Sequence, residues 1–215
     1  MGNVDPEGLD LLQRLLLVTD ATVTQLLATS MEEQIEAVRL SQHVRVAGDE
    51  RWPLELRAGP WVLDRRVLLR GVVSGRNYLC GESAIALSRL PRAVRTGLLR
   101  GDRPIGLLLR ESRTETFREI LWNGTSVARG MAPYFLLTEG TPLLARRYRV
   151  WIDHRPAMLI TETFPRSYRS VPSLPADGGG DRARPREVAV CRWRLPAGAS
   201  EVLPQPSACT RPVSM

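Results

Sequence analysis

Two ionisable side chains stand on strand faces that are otherwise apolar. In "WVLDRRVLLRGVV", residues 61–73, alternation puts Trp61, Leu63, Arg65, Val67 and Leu69 on one face, and Arg65 is its charge. In "MLITETF", residues 158–164, Met158, Ile160, Glu162 and Phe164 share a face, and Glu162 interrupts it. Burying a charge is expensive, so each residue needs a reason. Desolvation disfavours a carboxylate's charged form and raises its pKa unless a cation sits nearby. An arginine cannot neutralise itself and must find an anion, which its planar fork grips through two hydrogen bonds. Two arrangements fit. One is a buried ion pair, between Arg65 and Glu162 or with another partner. The other is a closed site in which Arg65 is kept for an anionic ligand and Glu162 for acid/base work. Periodicity leaves both open.

The rest of the composition removes other chemistries. The chain has 215 residues, 43% hydrophobic and 25% charged, an ordinary globular balance. All 30 basic residues are arginine, and the net charge is +7. The arginines are scattered among acids, with no long basic run and no recognition-helix motif, so we expect no nucleic-acid partner. A positive field of this kind draws in small anions equally well. Cys80, Cys191 and Cys209 show neither metal spacing nor a disulfide framework. With His43 and His154 the only histidines, a Ser/His/Asp triad or a His-based metal site lacks raw material. No uninterrupted apolar run, such as residues 15–18, is long enough to span a membrane. The acidic N-terminus, with Asp5, Glu7 and Asp10, is not that of a signal peptide. A cytoplasmic protein with no metal site and no membrane partner is expected, acting as a monomer.

The elements that must position Arg65 and Glu162 are strands. Leucines at 9, 12, 15 and 16 predict an amphipathic helix over residues 7–17, and Asp20 is placed to cap a second carrying Val23, Leu26 and Leu27. Residues 34–46 read as a strand. Residues 61–73 and 78–87 read as a hairpin around "SGRN". Residues 91–100, opening on proline, and the stretch after Asp102 read as helices. "TETFREILW" reads as a strand, residues 123–143 as less regular, and "ARRYRVWI–DHRP–AMLITETF" as a second hairpin. There is no internal repeat and no βαβ rhythm. From about residue 171 to 215 the chain turns Pro/Gly/Arg-rich and is expected to be a largely disordered tail, with one strand at most in "VAVCRWRL". Its Gly178-Gly179-Gly180 run lacks the strand, helix and lysine of a phosphate loop. The expected fold is α+β, an antiparallel β-sheet with helices packed on one side.

Several segments together resemble the chorismate lyase (chorismate pyruvate-lyase) family, particularly its actinobacterial 4-hydroxybenzoate-forming branch. They are Pro104-Ile105-Gly106, the Arg146-Arg147-x-Arg149 strand, a tight turn ending at Pro156, and Thr161-Glu162-x-Phe164. "LDRRVLLRG", "GESAIALSRLP" and "DATVTQLL" match upstream, so the resemblance covers roughly residues 8–170. It implies one domain over residues 1–170 of the chorismate lyase/UTRA-like type, whose sheet and helices enclose an internal ligand pocket. It also implies a cofactor-independent lyase that removes pyruvate from chorismate and leaves 4-hydroxybenzoate. Carried onto this chain, the family's ring-carboxylate arginine falls on Arg65, its pocket acid on Glu162 and its backbone contact on Ile105. The N-terminal wall position, often methionine in the classical branch, falls on Thr22. Arg146 is a weaker candidate for the substrate's second carboxylate. The competing function is a non-catalytic aromatic-acid or effector-binding protein, because the effector modules of certain bacterial regulators resemble the same architecture.

Overall fold

The structure is a computed structural model that describes residues 8–48, 53–100, 103–127 and 130–168. The expected tail, with Cys191, Cys209 and the triple glycine, lies outside the described residues. Two helices come first, α1 (Leu11–Val18) and α2 (Val23–Met31). The strands β1 (Ile35–Val46), β2 (Trp61–Gly71) and β3 (Asn77–Ala86) follow, then α3 (Arg92–Arg100) and α4 (Ile105–Glu111). The chain closes with β4 (Phe117–Val127), the single turn α5 (Ala132–Phe135), β5 (Pro142–Ile152) and β6 (Arg155–Pro165).

The six strands form one sheet in the order β1-β2-β3-β6-β5-β4, every neighbouring pair antiparallel. Two three-stranded meanders therefore meet along β3 and β6. The β5–β6 hairpin turns on Asp153 and His154, both at positive φ (48° and 57°). That geometry matches the right-handed twist of the strands, and Asp and His tolerate it better than most residues.

Helices α1 to α4 cover one face. Val94 and Leu98 of α3 and Leu108 and Leu109 of α4 pack on Leu63, Ile85, Val150 and Met158. Leu16 and Leu27, from α1 and α2, pack on Leu69, Leu79, Leu144 and Phe164. The expectation of helices on one side needs one amendment. The β2 residues of opposite parity include Val62 and Leu68, which are apolar and also need cover. Leu68 packs with Cys80, Leu143 and Phe135 of α5, and Val62 with Leu54 and Leu56 from the β1–β2 connection.

Local capping departs from expectation in the first two helices. Asp10 accepts from the Gln13 amide while the Gln13 side chain accepts from the Asp10 amide, so a capping box starts α1 later than expected. Thr22, not Asp20, stands at the N-cap of α2, because the helix begins only at Val23. The β4 strand runs on to Val127 and takes in the first part of the stretch expected to be irregular.

Candidate active site

Strand register decides which side chains share the sheet's helix-covered face. Arg65 pairs with Ser83, Ser83 with Ile160, and Ile160 with Tyr148. One row along, Val67 pairs with Gly81, Gly81 with Glu162, and Glu162 with Arg146. Residues paired across a sheet point to the same side. Arg65 and Glu162 thus face the same way from β2 and β6, with β3 between them. Gly81 stands directly between Val67 and Glu162 and adds no side chain to the floor.

Above this floor is a cavity walled by Ala21 and Thr22 from the α1–α2 connection and by Pro104, Ile105 and Gly106 at the start of α4. Arg65, Arg118, Tyr148 and Glu162 line it from the sheet. Its volume is about 80 Å³ for the centre of a water-sized sphere. One water needs only about 10–15 Å³ on that measure, so the space suits a small molecule. Gly106 lets the two walls meet, since a Cβ there would stand 2.8 Å from Thr22 Cγ2.

Both misplaced charges are buried, Arg65 at 3% exposure and Glu162 at 8%. Arg65 Nη2 donates to the Arg103 carbonyl at 3.0 Å, which ties β2 to the segment leading into α4. Glu162 does have an ion-pair partner, but it is Arg146 on the adjacent strand. Arg146 Nε donates to Glu162 Oε2 at 2.7 Å, and the Tyr148 hydroxyl donates to Oε1 at 2.9 Å. Arg146 is fully buried, and its Nη1 donates to the Thr19 carbonyl at 2.7 Å. Its guanidinium carbon also lies 5.0 Å from the Tyr148 ring centroid. Burial, reinforced by the Glu162 charge, pushes the Tyr148 phenol well above its ordinary value, with Arg146 and Arg118 working the other way. Tyr148 therefore stays protonated at working pH and remains a donor to the carboxylate.

The structure brings Arg65, Glu162, Ile105 and Thr22 to one cavity. Arg146 is not among the lining residues and reaches the cavity through Glu162. Two side chains at the site carried no mark in the sequence. Tyr148 shares its strand face with Arg146, Val150 and Ile152, and alternation does not single it out. Arg118 sits in "TETFREILW", where neither parity is consistently apolar, and a bulge between Ile120 and Trp122 breaks the alternation further. Among the described residues, no three His, Cys, Asp or Glu side chains gather as a metal-holding cluster. No helix among them is long and apolar enough to cross a membrane.

A single antiparallel sheet with a buried arginine and a buried carboxylate facing one pocket defines an α+β fold built around a small-molecule cavity. The fold is shared by gene product SA0254 from Staphylococcus aureus subsp. aureus N315 (TM-score 0.53, 14% identical, 70% of this chain and 90% of that chain). It is shared too by the effector domain of PhnF from Mycobacterium smegmatis (TM-score 0.54, 14% identical, 69% and 91%). By sequence the chain belongs to the Rv2949c-like chorismate pyruvate-lyase family, whose model matches residues 17–171. It is 32% identical over 157 residues to the chorismate pyruvate-lyase of Mycobacterium leprae, covering 72% of this chain and 74% of that protein. It is 30% identical over 168 residues to the chorismate pyruvate-lyase of Mycobacterium tuberculosis strain H37Rv, covering 74% and 82%.

Proposed function

We propose that the protein is a chorismate pyruvate-lyase that releases 4-hydroxybenzoate and pyruvate. The observation that carries this is the convergence of Arg65 and Glu162, from separate strands, on one cavity. Chorismate is a small acid with a carboxylate on its ring and another on its enolpyruvyl side chain. Arg65 grips the ring carboxylate, and its rigid strand position favours a two-pronged hydrogen bond. Thr22 forms the N-terminal wall, and the main chain at Ile105 forms the facing contact.

The reaction breaks the ether bond between ring and side chain. A ring carbon loses its proton, the methylene carbon of the departing group gains one, and the ring becomes aromatic. No water, oxidant or reductant is consumed, and the elimination needs no metal or organic cofactor. Glu162 is the acid/base group at the cavity, and Arg146 and Tyr148 hold its carboxylate in one orientation. Positioning and a single proton-handling group suffice, because aromatisation supplies the driving force.

Incubating the purified full chain with chorismate, and assaying pyruvate and 4-hydroxybenzoate separately, tests this directly. Equimolar appearance of both products is expected. Tight chorismate binding with neither product formed would mark a non-catalytic binding protein instead.

A further inference from the structure

We propose that Arg118 is the second anion anchor of the cavity, so that the site selects a small dicarboxylate and stretches it across Glu162. The assignment rests on the lyase reading above and extends it to the grip on the substrate's far end. Among the described residues, the charged side chains lining the cavity are Arg65, Arg118 and Glu162. Arg118 pairs in register with Val150, another lining residue, so β4 delivers it to the same face. It is half-buried, and its charge is felt at the Tyr148 hydroxyl, which itself touches Glu162. Arg118 Nη1 donates to the Asp20 carbonyl, in the connection that walls the cavity. A guanidinium has five N–H donors, so that contact leaves capacity for a carboxylate. Arg146, by contrast, stands outside the lining with Nε on Glu162 and Nη1 on Thr19.

The strand order sets the geometry. Arg65 comes from β2 and Arg118 from β4, with β3, β6 and β5 between them. Four strand spacings amount to roughly 19 Å of sheet at about 4.8 Å each. The two guanidinium groups therefore enter the cavity from opposite flanks. A ligand with two carboxylates can engage both. Glu162 on β6 and Tyr148 on β5 lie between the anchors. A dicarboxylate held at both ends presents to Glu162 the bond joining its two carboxylate-bearing parts, which in chorismate is the ether bond to be broken.

Two acids test this, chorismate with two carboxylates and 4-hydroxybenzoate with one. Binding is measured calorimetrically in a Glu162→Gln background, so that chorismate is not consumed, and KM is measured in the active protein. Arg118→Gln is expected to raise the Kd and KM for chorismate by about tenfold or more, the loss expected of a charge-assisted contact. It should leave 4-hydroxybenzoate binding within about twofold. Arg65→Gln should weaken both acids, and Arg118→Lys should restore part of the chorismate affinity. Equal weakening of both acids by Arg118→Gln, or no change in either, overturns the assignment. A protein that binds both acids with the expected split but never forms pyruvate leaves the anchor standing and removes the lyase. One that binds neither acid removes both.

Discussion

Glu162 and Arg146 form a buried ion pair between adjacent strands, and the consequences of breaking it are asymmetric. Removing one partner of such a pair leaves an unpaired buried charge, whereas removing both does not. Arg146→Met is therefore expected to lower unfolding free energy by about 3 kcal/mol or more. Adding Glu162→Gln should recover much of that loss, which chemical denaturation of the two single variants and the double variant will show. Glu162→Gln alone leaves Arg146 without its counter-charge and should itself cost stability, but it keeps a hydrogen-bonding side chain of nearly the same shape, so the fold and some product binding should survive. Turnover should fall by about a hundredfold or more, the usual contribution of a positioned acid/base group. An unchanged rate would show that Glu162 takes no part in proton transfer.

At the scale of elements, the β2–β3 hairpin is held from outside by Glu33. Its carboxylate accepts from the amides of Val73 and Ser74 and from the hydroxyls of Ser74 and Tyr78. Gly71 makes this approach feasible, because a Cβ there would run into the Glu33 carboxylate. Burial works to raise the Glu33 carboxyl, but the hydrogen bonds from Ser74, Tyr78 and Val73 outweigh it and bring the carboxyl down from 4.5 to about 2. The folded value lies below the unfolded one. The stabilisation is thus complete above about pH 4.5 and is lost as pH falls toward 2. Glu33→Gln should flatten that part of a stability-versus-pH curve and leave the neutral side parallel to wild type. The contact between α4 and the α1–α2 connection makes a second prediction. Gly106→Ala puts a methyl against Thr22 Cγ2, and a β-branched side chain has little freedom to move aside. KM for chorismate should rise several-fold, and adding Thr22→Ser, which deletes that methyl, should reverse most of the rise.

For the whole molecule, one sheet presents two meanders that meet at β3 and β6, and the candidate site lies on that seam. Arg65 comes from the first meander; Glu162, Tyr148 and Arg118 come from the second. The family match ends at residue 171, and no candidate site residue lies beyond it. We expect a chain truncated after residue 175 to keep kcat and KM for chorismate within about twofold of the full chain, since core burial rather than chain length carries the fold. A truncated protein that folds but loses turnover would show that the C-terminal segment contributes to the pocket.

Much of this was legible in the sequence because it is local. Alternation along β2 and β6 exposed Arg65 and Glu162 as misplaced charges. The Asp153-His154 turn and the turn around Gly75 marked both hairpins, and motif order identified the family. The covering of the second face was less legible, since α5 is only four residues long and its cover comes partly from an irregular connection. Partnership was not legible at all. Alternation says which way a side chain points, but not which strand lies beside it or in what register. Only the order β2-β3-β6-β5 places Arg146 next to Glu162 and holds Arg65 two strands away. Only the register of β4 on β5, with Arg118 opposite Val150, puts Arg118 on the cavity side. The sequence by itself determined that this chain carries a buried acid and a buried arginine on a chorismate-lyase-like sheet. The tertiary structure decided that the acid is held by a neighbouring arginine and tyrosine, which places Arg65 across the cavity at the site proposed for the substrate.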